Sequence, residues 1–424
     1  MYVHCDLNKF YASIIRVFMP ELEGKPIIIL SNNDGCNICY SPGDLKVDLG
    51  IKMGTPIFEI EHLVKRYDIK VFSSNFTLIA DLSLRVKSIL KRFCPSYENY
   101  SIDEIFMDFT GFTTEKVESI ARDLVRIIGV GLGLPISIGV ASSKTLAKVA
   151  TWYAKKFKGY KGVCIIDTEE KREKALKKID VNEVWGIGNQ YGYKLKKNNV
   201  KTAYDFTQMP VKWVRKQMTV VGERTYRELL GQPCFALEAE EKAKKNIMVS
   251  RSFGKLIPDF ETIAEALSSY AAMAAAKLRK QRSKTKKLYI FLETSPFRKD
   301  LDWLSKSVEI KLPVPTSSTI EIIKYAKEAL RAIYEEGYMF KITGIMVQDL
   351  SPDTSVQLNL YDPLSPEKRK KHDAIMIVAD NINTRFGRNT LYPVAQGDGK
   401  RWWIKQEKLP PYWSTRLSDI PVAM

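Results

Sequence analysis

The chain has 424 residues, with 66 Lys+Arg against 49 Asp+Glu and a net charge of +17. Its 45% hydrophobic and 27% charged content describes an ordinary folded protein long enough for two or more domains. The basic surplus suits a phosphate-backbone partner. An anionic membrane surface is disfavoured, because no apolar run approaches a transmembrane length and the N-terminus reads as a strand rather than a leader.

Residues 1 to 165 alternate strand-like and helix-like segments. Strands are expected near 2–6, 26–30, 101–109, 135–140 and 162–166, and helices near 75–93, 114–130 and 143–157. The first strand leads into Asp6, and the 101–109 strand carries Ser101-Ile102-Asp103-Glu104. Two strands that bring carboxylates into one core make a divalent-metal site, since hard oxygen ligands suit Mg²⁺, and two such ions suit nucleotidyl transfer. A solvated sheet face carrying three acids is the plainer alternative. Adjacent strand residues also point to opposite faces, so Asp103 and Glu104 share a site only if the strand turns nearby. Asp108, on the parity of Glu104, is expected to be structural.

Six cysteines are scattered, and only Cys36 and Cys39 form a Cys-x-x-Cys pair, with no histidine at zinc-ligand spacing. Asn32-Asn33-Asp34-Gly35 before them reads as a hairpin turn, which makes both strand residues of a reduced, cytoplasmic protein. Three histidines leave little room for histidine-based catalysis. In the 143–157 helix, Leu146, Val149, Ala150, Tyr153 and Phe157 keep helical spacing, while Lys144, Lys148 and Lys156 fall largely off that stripe, as a solvated face would. Lys155, near its end, is placed to reach a triphosphate.

Residues 167 to 232 are expected to be mostly helical. Val184-Trp185-Gly186-Ile187-Gly188, with Leu195 seven positions on, has the helix-hairpin-helix pattern, in which Gly186 and Gly188 let backbone amides approach a DNA phosphate. An ordinary helix-helix turn is the rival, and the flanking Lys194, Lys196, Lys197 and Lys201 favour DNA. After a linker of acidic then basic residues comes strand (248–254), helix (262–281), strand (287–293), strand (306–312), helix (319–335), strand (340–349), the order of a split βαβ domain. Lys277 to Lys287 packs seven Lys/Arg into eleven residues, which suits either a solvated helix end or duplex phosphates. Beyond Ser351 the tail carries Gln357-Leu358-Asn359-Leu360-Tyr361, a peptide that either packs on its own domain or fills a partner's groove.

Taken together, Asp6-x-Asn8-x-Phe10-Tyr11-Ala12-Ser13, Ser101-Ile102-Asp103-Glu104 and the lysine helix resemble a Y-family translesion DNA polymerase. Gly24-Lys25-Pro26, Ser31 to Cys36, Val184 to Gly188, Ser250-Arg251-Ser252-Phe253-Gly254, Ala395-Gln396-Gly397 and Thr415-Arg416-x-Ser418-Asp419 resemble its UmuC branch, the catalytic subunit of bacterial DNA polymerase V. The resemblance implies a multidomain α+β right-hand polymerase: palm at 1–10 and 74–166, fingers at 11–73, thumb at 167–232, linker at 233–246, little finger at 247–350 and a clamp- and partner-binding region at 351–424.

It further implies a low-fidelity, template-directed polymerase of SOS translesion synthesis acting on primer-template DNA and dNTPs. Two Mg²⁺ ions would be held by Asp6, Asp103, Glu104 and the Leu7 carbonyl, with Phe10, Tyr11, Lys46 and Lys155 binding the nucleotide. Tyr11 would be the steric gate against a 2′-hydroxyl, although on its residues alone it reads rather as a core aromatic after Phe10. Gly186, Gly188, Lys194, Arg251, Lys284 and Lys286 would contact DNA. Gln357, Leu358, Leu360 and Tyr361 would dock on the bacterial sliding clamp, with a UmuD-type protein and a RecA-type filament as further partners and no membrane. In one departure, the segment from Tyr40 to Gly50 is about two residues longer than usual, so the basic residue that grips the triphosphate falls on Val47 and Lys46 is its substitute. The alternatives are a non-catalytic DNA- and clamp-binding accessory subunit and a two-metal nuclease.

Overall fold

The structure, a computed structural model, describes residues 1–238, 242–298, 300–354, 365–398 and 402–421. It divides into two compact units: residues 1–31, 35–241 and 408–424 form the first, and 32–34 with 242–407 the second. The expected C-terminal region is thereby split, its last seventeen residues clustering with the N-terminal unit.

The first unit begins with β1 (Tyr2–Leu7), α1 (Phe10–Phe18), β2 (Ile27–Leu30), β3 (Asn37–Ser41), α2 (Glu61–Arg66) and β4 (Lys70–Ser73). It continues through α3 (Phe76–Leu90), β5 (Ser96–Asn99), β6 (Glu104–Asp108), α4 (Thr114–Leu132), β7 (Ile136–Ala141), α5 (Lys144–Lys156) and β8 (Val163–Ile166). The main sheet runs β5-β6-β1-β7-β8, antiparallel except for the parallel β7/β8 pair. Its two faces follow the period-2 parity of β1. Val3, Cys5 and Leu7, with Ile105 and Met107 of β6, enter a core with Leu78 and Leu82 of α3 and Val117 and Leu124 of α4. The even residues His4 and Asp6 face the other way, toward α5.

A smaller sheet, β3-β2-β4, pairs β2 with β3 in the expected hairpin and with β4 in parallel. Four helices complete the unit: α6 (Glu169–Lys178), α7 (Asn189–Lys197), α8 (Ala203–Thr207) and α9 (Val211–Leu229), the last broken at Thr219.

The second unit has the expected β-α-β-β-α-β order: β9 (Ile247–Ile257), α10 (Phe260–Lys280), β10 (Ser283–Thr294), β11 (Ser305–Thr316), α11 (Thr319–Ile333) and β12 (Phe340–Pro352). Its sheet, β11-β10-β12-β9, is antiparallel throughout, and α10 and α11 bury Leu267, Tyr270, Ala274, Ile322 and Leu330 against it. A further helix, α12 (Pro366–Phe386), belongs to the same unit. Among the described residues no helix is long and apolar enough to cross a membrane.

Candidate active site

The sequence raises a geometric problem at Asp103-Glu104, and the structure answers it with a turn. Strand β6 begins only at Glu104, and residues 101–103 form a bend rather than the expected strand. The Ser101 hydroxyl closes that bend: Oγ donates to Asp103 Oδ1 at 2.6 Å and accepts the backbone N–H groups of Asp103 (3.3 Å) and Glu104 (3.1 Å). Two side chains of α3 hold it from outside, Ser83 donating to the Ile102 carbonyl and the Lys87 ammonium to the Ser101 carbonyl. The Leu7 N–H bonds the Asp103 carbonyl at 3.1 Å, so β1 fixes the bend directly. Asp108 sits at the far end of β6, where its Oδ1 accepts the N–H and hydroxyl of Thr110.

Asp6 and Glu104 are register partners across the antiparallel β1/β6 pair, which places them on one face of the sheet. Each meets a lysine of α5: Lys155 Nζ lies 2.6 Å from Asp6 Oδ1, and Lys148 Nζ 2.6 Å from Glu104 Oε1. A third pair lies one strand further out, where Lys144 Nζ is 2.7 Å from Glu98 Oε2 on β5. At 100° per residue, positions 144, 148 and 155 fall within about 40° of one another, so one helix face serves three adjacent strands. The reading of Lys144 and Lys148 as a solvated face is corrected here. Lys144 is only 3% exposed, and both ammoniums lie near the Phe106 ring, with Lys148 also 4.6 Å from the Tyr100 ring centroid.

Behind Glu104 stands His4, a buried residue that sequence reasoning set aside. Its Nε2 is 3.3 Å from Glu104 Oε1 and its Nδ1 2.9 Å from Thr151 Oγ1. Burial pushes the imidazole below its ordinary value against the pull of Glu104. Burial would raise Glu104, but the hydrogen bonds and charges of His4 and Lys148 outweigh it and hold the carboxyl at about 2. His4 is the larger of the two influences and Lys148 the smaller. Asp6 differs: burial raises its pKa, and Lys155 opposes that only in part. Among the described residues no three His, Cys, Asp or Glu side chains are gathered as a metal cluster. Asp6 and Glu104 are turned to their lysines and Asp103 to Ser101.

Around this row, Tyr11 occupies the first turn of α1 after Lys9, which takes a left-handed conformation at φ 47°. Burial raises the Tyr11 hydroxyl's pKa, as does the nearby Asp103 charge. The Phe10 side chain is 2% exposed in the core, so only its backbone remains for a ligand. Lys46 is exposed in the loop after β3, and no described contact joins it to the carboxylates.

In the helical segment, Gly186 adopts φ 91° and a Cβ there would meet Thr225 Oγ1 at 2.9 Å, so packing already demands glycine. Gly188 caps α7 with open space around it. Lys194 Nζ is 3.4 Å from the Gln217 carbonyl. In the second unit the basic run is partly neutralised from within: Arg279 grips Asp380 through two hydrogen bonds, Lys284 lies 3.7 Å from Asp373, and Lys287 pairs with Glu309. Arg251 on β9 and Lys286 on β10 are half-buried strand residues. The clamp peptide Gln357-Leu358-Asn359-Leu360-Tyr361 lies outside the described residues.

Residues 5–152 match the impB/mucB/samB family, residues 244–360 that family's C-terminal domain, and residues 373–423 a domain of unknown function. The protein UmuC of Salmonella typhimurium is 38% identical over 422 residues, covering 99% of both chains. The chain belongs to the impB/mucB/samB family. The protein ImpB of Salmonella typhimurium is 37% identical over 100% of this chain and 99% of its own. The family's wider kinship is with Y-family DNA polymerases: DNA polymerase IV of Desulfatibacillum aliphaticivorans is 25% identical over 93% of this chain and 96% of its own. Among solved structures, a Y-family DNA polymerase chimera of Dbh and Dpo4 superposes with a TM-score of 0.65 at 18% identity, over 83% of this chain and 99% of that one. The fold is thus the multidomain α+β polymerase fold expected from the sequence.

Proposed function

We propose that this chain is a template-directed, low-fidelity DNA polymerase of translesion synthesis, the catalytic subunit of an SOS-induced enzyme. The observation that carries this reading is the pairing of Asp6 with Glu104 across β1/β6, each meeting a lysine of α5, beside a turn that presents Asp103. Hard carboxylate oxygens suit Mg²⁺. That each of Asp6 and Glu104 already attracts an ammonium to 2.6 Å supports cation binding on this face. Asp6, Asp103, Glu104 and the Leu7 carbonyl would hold two Mg²⁺ ions, which supply Lewis-acid activation of a primer hydroxyl and neutralise triphosphate charge.

The remaining roles fall to the chain's own residues. Lys155, whose side chain is 40% exposed, can leave Asp6 for a phosphate at little desolvation cost, whereas Lys148, 19% exposed beside Tyr100 and Phe106, stays to hold Glu104 ionised. Tyr11 would lie under the incoming sugar and reject a 2′-hydroxyl, and Lys46 would assist the triphosphate. Gly186, Gly188, Lys194, Arg251, Lys284 and Lys286 would track DNA phosphates. The β1–β5–β6–β7–β8 sheet corresponds to a palm, residues 11–73 to fingers, 167–232 to a thumb and 247–350 to a little finger. Gln357 to Tyr361 would dock on a sliding clamp, with a UmuD-type protein and a RecA-type filament completing a cytoplasmic assembly.

The test is extension of a labelled primer-template by the purified chain with Mg²⁺ and dNTPs. Extension is expected, and Asp103→Ala or Glu104→Ala should abolish it. Binding without extension, even with clamp and UmuD-type protein added, would make the chain an accessory subunit, and primer shortening would make it a nuclease.

A further inference from the structure

Residues Lys408 to Ser414 return to the first unit and pack against α1, which carries Tyr11, and against α3. The contact begins at the edge strand β4, where the Ser73 N–H donates to the Lys408 carbonyl at 2.8 Å and the Lys408 N–H to Ser73 Oγ at 3.0 Å. Two residues on, the buried amide of Asn75 is used at both ends. Its Oδ1 accepts the Leu78 N–H at 3.1 Å and caps α3, while its Nδ2 donates to the carbonyls of Pro410 (3.3 Å) and Pro411 (3.4 Å). Ser414 Oγ then bonds Asp81 at 2.7 Å, one turn further along α3.

The other end of the strap is apolar. Trp413 is 7% exposed and stacks flat on Phe18, the last residue of α1, at 4.8 Å with 10° between planes. Tyr11 lies between these anchors. It meets Phe76, the residue after Asn75, edge-on at 6.4 Å and 87°. It also shares a small cavity with Ile14, Ile29, Asn75, Leu78 and Pro410. A nine-residue helix held at its C-terminal end by Trp413, and a facing aromatic held through Asn75, together fix where the Tyr11 ring stands.

We propose that the strap Lys408–Ser414 is a positioning element of the nucleotide-sugar site: by locking α1 and the Asn75–Phe76 turn, it sets how strictly Tyr11 distinguishes deoxyribonucleotides from ribonucleotides. This rests on the reading of Tyr11 as the sugar gate. Loosening the strap widens the space over the sugar without touching the carboxylates. An ångström-scale displacement at a reacting centre costs up to about 100-fold, so a partial loosening is expected to cost about tenfold.

The test compares the full-length parent with Trp413→Ala, Trp413→Phe, Ser414→Ala and Tyr11→Ala in single-nucleotide insertion. The thermal shift produced by dNTP or rNTP on the chain with primer-template and Ca²⁺ serves as a readout independent of turnover. Trp413→Ala should lower the dNTP-to-rNTP preference about tenfold, through a lower KM for rNTP with KM and kcat for dNTP within about twofold, and Trp413→Phe should restore most of it. Ser414→Ala, which removes one hydrogen bond and no core volume, should lower the preference about twofold and decides the matter if Trp413→Ala does not fold. If Tyr11→Ala leaves the preference intact, the sugar-gate reading falls and the strap's role with it. If Tyr11→Ala collapses the preference while the folded strap variants keep the parental value in both readouts, the strap proposal is overturned and the gate reading stands.

Discussion

Replacing Lys144 with Met tests whether the lysine face of α5 belongs to the folded interior. Lys144 and Glu98 are 3% and 10% exposed at the side chain and meet at 2.7 Å. The ammonium also lies 4.6 Å from the Phe106 ring centroid and 5.8 Å from that of Trp185. Met keeps the stem and its packing but strands the Glu98 carboxylate. Breaking one side of a buried pair costs about 3–5 kcal/mol. Here Glu98 keeps one donor, the Glu238 N–H at 2.8 Å, which argues for the lower end, about 3 kcal/mol. Hydrogen exchange read on peptides spanning β5, β6 and the first turns of α5 should then quicken about 150-fold. Glu98→Gln alone strands the ammonium instead, and the double variant, with neither charge, should recover about 2 kcal/mol relative to the sum of the singles. A Lys144→Met cost under about 0.5 kcal/mol, or strict additivity in the cycle, would refute the buried-pair reasoning.

Three more outcomes follow from the same geometry. Ser101→Ala removes the hydroxyl that closes the Asp103 bend, so primer extension should drop about 10- to 100-fold in kcat while the far-UV circular dichroism stays unchanged. Lys148→Met takes away the partner that, with His4, holds Glu104 at about 2, so burial is less fully opposed and the carboxyl's pKa rises. If ionised Glu104 is the metal-holding form proposed above, activity is lost as pH falls through its folded pKa, and the acid limb of the variant's pH–rate profile should lie at higher pH than the parent's. Burial lifts the Cys94 and Cys164 thiols to about 11, so at pH 8 only about one in a thousand of either is thiolate. Mass-spectrometric mapping after brief iodoacetamide treatment should find both sites unmodified at pH 8 and Cys94, the less buried, labelled only as the pH approaches 11.

What the sequence disclosed and what it concealed divide along physical lines. The split βαβ order in the second unit was legible because α10 and α11 carry long apolar stripes and the strands between them are long. The strand β5 and the helix α1 were not, since Ser96–Asn99 is a four-residue polar edge and α1 is too short for its period to stand out. The turn at Asp103 was foreseeable only as a necessity. Its agent, the Ser101 hydroxyl, lies inside the quoted motif, but the clamps from Ser83 and Lys87 come from a helix elsewhere in the chain. The lysine face was available in the spacing of 144, 148 and 155 and was masked by the habit of assigning lysines to solvent. Period alone aligns them, yet only the order β5-β6-β1 shows that each faces an acid on a different strand. The strap is the opposite case. Lys408–Ser414 has no period at all, and its anchors, Phe18, Ser73, Asn75 and Asp81, lie more than 300 residues upstream. A segment whose order comes wholly from long-range pairing pays its closure entropy against contacts no local pattern encodes, so only the folded structure brings Pro410 beside Tyr11.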